Sequence, residues 1–209
     1  MNKNFFILLS FILFFTCFDF AYAEKSSFQH IILGEGPTRY IISEIKDESV
    51  EIKAVGEGSA SGLYSENLHH FFNKSDILEW SWRIDDIQKN ADIAVKDKED
   101  FAASIQLVFG KKTLFSRPKV LVYGWVGNDA MLGHVIKSPR ASRHFRTLIL
   151  DNVSSPLSKW QRHKRNIIDD YKSVYGEAPS EPLSVIGVFT DNDQTREDVT
   201  SFYRLNFRP

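Results

Sequence analysis

The stretch that decides the fold is Leu78-Glu79-Trp80-Ser81-Trp82-Arg83-Ile84, before the middle of the chain. Apolar and polar side chains alternate along it, and successive side chains of a β-strand point to opposite faces of a sheet. The pattern therefore predicts a half-buried strand. We expect Trp80 and Trp82 to face a core, while Glu79 and Arg83 lie on the polar face.

Short β-prone segments flank this strand on both sides and are separated by turn-forming residues. The glycine-rich segment 56–62 leads to Leu63-Tyr64-Ser65, which fits either a loop or a short edge strand. The other candidate strands are 40–45, 50–55, 101–109, 120–126, 144–150, 183–190 and 201–207. So many short strands favour an all-β fold, an antiparallel jelly-roll-like β-sandwich.

One long helix is predicted late in the chain, as an insertion over an end or a face of the sandwich. Ser158 and Gln161 have the spacing of a capping box, and Gly176 provides a stop signal. Apolar side chains recur at helical intervals between them, at Trp160, Ile167, Ile168, Tyr171 and Val174. The pattern predicts a helix over about residues 158–175, with the basic cluster 162–165 in solvent.

The first 23 residues have the form of a secretory signal peptide. Lys3 supplies a positive charge, residues 5–18 are almost wholly apolar, and Ala21-Tyr22-Ala23 has the small-x-small form of a cleavage site. The apolar run is shorter than the roughly 20 residues that a membrane-spanning helix needs. We expect cleavage after Ala23 and a periplasmic or secreted location; lipidation at Cys17 is the alternative.

Composition restricts the chemistry of the remaining domain, residues 24–209. In the whole chain Lys and Arg total 26 against 27 Asp and Glu, a net charge of -1, which argues against a nucleic-acid partner. Cys17 is the only cysteine, so the exported chain has no thiol for a disulfide, a zinc site or a nucleophile. The sequence also lacks a glycine-rich phosphate loop, a Gly-x-Ser-x-Gly motif and a His-Glu-x-x-His motif.

Several motifs follow the tryptophan strand in a characteristic order. They are Asp100-Phe101-Ala102, Tyr123-Gly124-Trp125, Asp169-Asp170-Tyr171 and Thr190-Asp191-Asn192-Asp193. In this order the chain resembles the bacterial family called domain of unknown function 3047, over about residues 77–207. The resemblance implies a single exported or envelope-associated β-rich domain, and it supplies no catalytic residues.

The polar face of the tryptophan strand is a candidate binding surface. Glu79, Arg83 and Gln106 would form one polar sheet face if their strands are neighbours. Tyr123 and Trp125 share one face of a third strand and would add aromatic rings. Sugars offer hydroxyl groups for hydrogen bonds and flat C–H faces for stacking, so the five residues suit a carbohydrate. The alternative is an ordinary solvated face with a Glu–Arg pair.

Acidic residues gather in two loops. The first contains Asp92, Asp97, Glu99 and Asp100, and the second contains Asp191 and Asp193. Calcium prefers such oxygen ligands, so Asp191 and Asp193 are candidate metal ligands. An Asx-type turn explains the second loop equally well.

We expect a noncatalytic periplasmic β-sandwich that binds a carbohydrate or another polar envelope ligand. One alternative is a glycan-active hydrolase, in which Glu79 and Asp191 would act as acid and base. Another is a purely structural envelope partner. His134, His144 and His163 show no ligand spacing and are expected at the surface or in loops.

Overall fold

The computed structural model describes residues 28–45, 50–70, 77–111, 113 and 117–205. The expected signal peptide, the alternative lipidation site at Cys17 and residues 46–49, whose charges and serine predict a turn between the strands at 40–45 and 50–55, lie outside these residues. Within them, no helix has both the length and the apolar character to cross a bilayer.

Twelve strands and one α-helix make up the described fold. The strands are β1 (Phe28–Ile32), β2 (Arg39–Glu44), β3 (Val50–Gly56), β4 (Ala60–His70), β5 (Ile77–Asp86), β6 (Ala103–Phe109), β7 (Lys119–Trp125), β8 (Val135–Lys137), β9 (Phe145–Asp151), β10 (Gln161–Asn166), β11 (Leu183–Asp191) and β12 (Val199–Leu205), and the helix is α1 (Ile167–Tyr175). A seven-stranded sheet has the order β1-β4-β11-β6-β7-β9-β8, and a five-stranded sheet has the order β10-β5-β12-β3-β2. The all-β sandwich is confirmed.

One strand pair departs from the expected antiparallel arrangement. β7 and β9 run parallel, with Val120 opposite Phe145, whereas the other described pairs are antiparallel. The chain leaves β7, forms β8 and then enters β9, which lies between the other two strands. The long connection carries the chain back to the starting end of β7, so β9 repeats its direction.

The core lies between the inner faces of the two sheets. Trp82 and Trp125 are fully buried, and Trp80 is 3% exposed. The rings of Trp80 and Tyr123, from opposite sheets, stack with their centroids 5.0 Å apart. The prediction that Trp80 and Trp82 face the core is therefore confirmed.

The predicted helix at 158–175 is wrong in its first half. Residues 161–166 form β10, an edge strand that pairs with β5, and only Ile167–Tyr175 is helical. The capping residue is Asn166 instead of Ser158, since its side chain accepts hydrogen bonds from the backbone N–H groups of Ile168 and Asp169. Gly176 ends the helix in the left-handed conformation, as predicted.

Polar inward-facing residues concealed the alternation of β10. His163 and Arg165 point inward, where His163 Nε2 lies 2.7 Å from Asp151 Oδ2 and Arg165 Nε donates to Asp170 at 2.8 Å. A strand whose inner positions are charged or polar has no period-two apolar pattern, and only its buried partners make it stable. His163 was expected at the surface or in a loop; that expectation is wrong.

The strand β4 is longer and more central than expected. Leu63-Tyr64-Ser65 lies within it, between β1 and β11, and not at an edge. The Tyr64 ring covers two glycines: a Cβ at Gly187 would lie 2.3 Å from Tyr64 Cδ1, and one at Gly62 would lie 2.6 Å from Tyr64 Cε2. The glycines therefore make room for this ring.

A second apolar layer covers part of the outer face of the seven-stranded sheet. The cluster contains Ala60, Ile93, Phe101, Val122, Val126, Ile149 and Phe189. Ile93 and Phe101 come from the segment between β5 and β6, so this connection packs on the outside of the sheet. As a result β7 is buried on both faces.

Candidate functional site

The aromatic residues of the expected platform belong to the core. Tyr123 and Trp125 are fully buried between the sheets. The Tyr123 hydroxyl donates a hydrogen bond of 2.8 Å to Asp170 Oδ2, and burial with the nearby Asp170 raises the pKa of Tyr123. These rings offer no exposed face to a ligand, because their face of β7 points toward the other sheet.

The polar residues of the expected platform are also separated. Glu79 and Arg83 lie on β5 in the five-stranded sheet, whereas Gln106 lies on β6 in the seven-stranded sheet. The strands are not neighbours, so the condition for a shared polar face is not met. Each group instead belongs to a different outer surface.

Gln106 lines a cavity of about 360 Å³ on the outer side of the seven-stranded sheet. We call this cavity the acidic pocket. Its polar lining includes Glu99, Gln106, Ser138, Arg140, Asp191, Asp193 and Gln194, and its apolar lining includes Leu33, Phe101, Phe145 and Phe189.

The amide of Gln106 is held in one orientation. The Tyr64 hydroxyl donates a hydrogen bond of 2.8 Å to Oε1 of Gln106. Both residues are buried to 5% exposure. Because Oε1 accepts from Tyr64, the amide nitrogen of Gln106 is the group that remains to donate hydrogen bonds to a ligand in the pocket.

Three carboxylates meet beside the pocket. Asp100, Asp191 and Asp193 each offer an oxygen, and these oxygens lie within 4.8 Å of one another. In the sequence, Asp100 belongs to one acidic loop and the other two belong to a second; the fold brings the two loops together. Asp92 and Asp97 are not part of this cluster.

Hydrogen bonds hold these carboxylates in different ways. Asp100 is fully buried, and its two oxygens accept from the backbone N–H groups of Gln194 at 3.1 Å and Thr195 at 2.7 Å. Asp191 accepts from the backbone N–H of Phe101. Asp100 therefore fixes the turn that follows β11.

The pKa of the Asp191 carboxyl is strongly perturbed. Burial raises the pKa of Asp191 well above its usual value, and the negative charges of Asp100, Asp193 and Glu99 raise it further, while the hydrogen bond from Phe101 opposes them. Burial also raises the pKa of Glu99. The region thus favours a bound proton or another positive charge.

Arg140 supplies part of this positive charge. Its Nε donates a hydrogen bond of 3.0 Å to Glu99 Oε2, and its terminal nitrogen donates to Gln194 Oε1 at 3.1 Å. Ser138 donates to the other oxygen of Glu99 at 2.6 Å. Glu99 is therefore fixed at the rim of the acidic pocket.

The cluster fits part of a calcium shell. Calcium takes six to eight oxygen ligands, and the carboxylates of Asp191 and Asp193 lie in reach of a common ion. Asp100 already has both oxygens engaged by the turn. Calcium at Asp191 and Asp193 stays a prediction.

The outer side of the five-stranded sheet has the opposite charge. Arg162 of β10 and Arg204 of β12 both lie opposite Ser81 of β5, in adjacent pairs. A cavity of about 420 Å³ covers this position, and its lining includes Lys164 and Glu79. We call the surface formed by Glu79, Ser81, Arg162, Lys164 and Arg204 the basic face.

The basic face was not expected, because the sequence pattern predicts a helix for the basic cluster 162–165. Once 161–166 is a strand, Arg162 and Lys164 share its outward side. No local signal in the sequence identifies this strand, because its inward residues His163 and Arg165 are polar and their partners Asp151 and Asp170 are known only from the structure.

The carboxylates named for a hydrolase are not brought together. Glu79 forms an ion pair with Lys164 on the basic face, while Asp191 lies at the end of β11 in the other sheet. His134 and His144 lie outside the strands, as expected.

Two solved structures resemble the fold. One is a family 11 carbohydrate-binding module from Clostridium thermocellum in complex with a β-1,3-1,4-mixed-linked tetrasaccharide, with 10% identity, a TM-score of 0.41 and coverage of 86% of this chain and 88% of the module. The other is the family 11 module of the cellulosomal cellulase Lic26A-Cel5E of the same organism, with 10% identity, a TM-score of 0.40 and coverage of 88% and 89%. At this identity the likeness concerns the fold alone.

Among curated protein sequences, none matches the chain. The model of one family, described as protein of unknown function (DUF3047), matches residues 26–205. This range contains the motifs from the tryptophan strand to Asp193 and confirms the resemblance found in the sequence. The chain therefore belongs to the DUF3047 family.

Proposed function

We propose that the protein binds a carbohydrate or another polyhydroxylated ligand in the acidic pocket, without catalysis. The observation that carries the proposal is the pocket's lining, where phenylalanine rings lie beside carboxylates and an oriented amide. Its volume of about 360 Å³ suits a small ligand. These residues, and not the likeness to the Clostridium modules, support the proposal.

The lining matches the two kinds of surface that a sugar presents. Phe101, Phe145 and Phe189 offer apolar contacts for C–H groups. The Gln106 amide donates hydrogen bonds. The Asp193 oxygens accept from the backbone N–H of Glu35 and the amide of Gln194, and each oxygen has a further lone pair for a sugar hydroxyl. Asp191, protonated to higher pH than an ordinary aspartate, both donates and accepts.

The hydrolase alternative would need a different pair of carboxylates from the one that the sequence suggested. Glu99, Asp191 and Asp193 line the acidic pocket, whereas Glu79 does not. Glu99 is held by Ser138 and Arg140. Its oxygens are therefore occupied by donors that stabilise the structure, and this favours binding over catalysis.

The proposed place of action is the periplasm or the exterior, after removal of the first 23 residues. The supporting observation is the signal-peptide pattern that ends at Ala21-Tyr22-Ala23. The intact mass of the exported protein should correspond to a chain that begins at Glu24. A mass that retains residues 5–18 would contradict it.

A glycan array on the exported protein, followed by calorimetric titration of the best ligand, tests the binding proposal. Gln106→Glu removes a donor but keeps the acceptor for Tyr64, and Asp193→Asn removes a charge. Each should raise the Kd about tenfold or more, because one hydrogen bond to a charged or oriented group contributes about 1.5–3 kcal/mol. Glu177→Gln, at an exposed residue that lines neither cavity, is the control and should leave the Kd unchanged.

Two results would overturn the proposal. One is an array without a ligand at millimolar concentrations. The other is a ligand whose Kd is the same for wild type, Gln106→Glu and Asp193→Asn. Release of reducing sugar during incubation with the ligand would instead favour the hydrolase.

A further inference from the structure

The basic face contains a row of side chains in register across three strands. Arg162, Ser81 and Arg204 lie side by side on β10, β5 and β12, all on the outward side. Neighbouring strands are about 4.8 Å apart, so the two arginine backbones are separated by roughly 9–10 Å. The short side chain of Ser81 leaves space between them.

This space is part of the cavity of about 420 Å³ on the outer side of the five-stranded sheet. Ser81, Arg162, Lys164 and Arg204 line it together with Glu79. A group seated over Ser81 can therefore reach a hydroxyl and two guanidinium groups at once. That set of donors suits a carboxylate.

Two of the guanidinium groups on this side are held in place before any ligand arrives. Arg204 donates a hydrogen bond of 2.8 Å to Glu51 and lies 4.0 Å from the ring centroid of Trp160. Arg83, on the same side of the sheet but outside the cavity lining, lies 3.9 Å from the ring centroid of Phe202. Because stacking fixes these groups, binding loses little side-chain entropy.

Positive charge exceeds negative charge around the cavity. Lys164 is paired with Glu79, and Arg204 is paired with Glu51. Arg162 is exposed, and no described acidic side chain forms an ion pair with it. The face therefore has positive charge available, although the whole chain has a net charge of -1.

We infer that the basic face binds an acidic polysaccharide, with one sugar carboxylate seated over Ser81 between Arg162 and Arg204. Glu51 and Glu79 stand among the cations, so a continuous anionic surface such as a membrane or a nucleic acid would meet repulsion there. A polysaccharide has neutral hydroxyl groups between its carboxylates, and these can lie against the two acids. The inference concerns a second site and does not depend on the acidic pocket.

Titration of the exported protein with polygalacturonate, compared with the neutral polysaccharide dextran, tests this inference. We expect binding to polygalacturonate alone, weakening as salt is raised from 20 to about 150 mM, because screening reduces exposed charge interactions. Arg162→Ala and Ser81→Asp should each raise the Kd at least tenfold. Glu79→Gln should lower it severalfold, since a repelling charge is removed.

Arg143→Ala is the matched control, because Arg143 is an exposed arginine in the connection between β8 and β9 of the other sheet. Its affinity for polygalacturonate should equal that of wild type. Thermal melting of each variant checks folding; if Ser81→Asp melts early, Arg162→Ala decides the test, because Arg162 has no described ion pair to lose.

The inference is overturned by any of three results. The first is dextran binding as well as polygalacturonate, the second is wild-type affinity in Arg162→Ala, and the third is tighter binding to vesicles of anionic phospholipid than to the polysaccharide. Glu79→Gln with weakened binding would also contradict it, since that acid is assigned a repulsive role.

Discussion

The outer faces of the two sheets differ in what covers them. On the seven-stranded sheet, outward-facing Val122 is fully buried under the segment that contains Ile93 and Phe101. On the five-stranded sheet, outward-facing Ser81 is only half-buried and borders an open cavity. Alternation along a strand thus distinguishes its two faces, but it does not say which face meets solvent.

The two faces also differ in charge. The acidic pocket collects Glu99, Asp191 and Asp193, and the basic face collects Arg162, Lys164 and Arg204. The near-zero net charge of the chain conceals this separation, because the two surfaces cancel in the sum. Two surfaces of opposite charge therefore lie on one small domain.

The largest expected effect is the difference between the two faces in how much an added carboxylate lowers the free energy of unfolding. Val122→Asp should prevent folding, since an unpaired buried charge costs more than about 4 kcal/mol. Ser81→Asp should change the free energy of unfolding by no more than about 0.5 kcal/mol, because its side chain reaches solvent and two arginines. Urea denaturation measures both.

Val122→Ala keeps the test measurable if Val122→Asp yields no folded protein. We expect a loss of about 2 kcal/mol for this variant. Equal stability of Val122→Ala and wild type would contradict the covered character of this face.

A smaller loss of stability is expected from Gly187→Ala, which introduces a Cβ 2.3 Å from Tyr64 Cδ1. Displacing that ring should cost about 1–3 kcal/mol in urea denaturation. The double variant Gly187→Ala, Tyr64→Ala should lose less than the sum of the single variants, since the clash is absent. Strict additivity would show that the ring does not require this glycine.

The free energy of unfolding should depend on pH through Asp191, because this carboxyl is buried on the covered face and its pKa is raised. Its pKa is raised in the folded state, so the folded protein binds the proton more tightly than the unfolded chain. The free energy of unfolding therefore falls as pH rises from about 3.9 toward the folded-state pKa. Asp191→Asn removes this loss and keeps an acceptor for Phe101.

With chelator present, Asp191→Asn should melt on the order of 2–4 °C above wild type at pH 8, and at pH 3 the two should coincide. Calorimetric scans across this range provide the measurement. A variant that melts below wild type at pH 8 would contradict the raised pKa.

The calcium prediction gives the smallest expected shift. If the ion binds Asp191 and Asp193, calcium at five times its Kd stabilises the folded state by about 1 kcal/mol. The thermal midpoint of wild type should rise, and that of Asp191→Asn should not. If neither calcium nor chelator changes the thermal midpoint, Asp191-Asn192-Asp193 is a turn that binds no calcium.

The parts of the site that sequence analysis located are those defined by local chemistry. Asp191 and Asp193 were recognised as oxygen donors, and Asp100 was recognised in a neighbouring motif; the fold brings all three together. Gln106 was correctly predicted as a polar residue on the face of a sheet. The prediction that it lies beside Glu79 and Arg83 is wrong, because these two residues belong to the other sheet. Which strands are adjacent depends on long-range pairing, which no local pattern contains.

The sequence by itself determined the family, the all-β sandwich and the inward side of the tryptophan strand, because these follow from motif order and from alternation with a period of two. Only the tertiary structure decided that 161–166 is a strand, that Tyr123 and Trp125 are core, and that acids and cations occupy opposite outer faces. The physical reason is that the pairing of β10 with β5, or a connection folded over Val122, is a contact between distant parts of the chain. The local pattern determines the face of the strand on which a side chain lies. Long-range contacts determine the surroundings of that side chain.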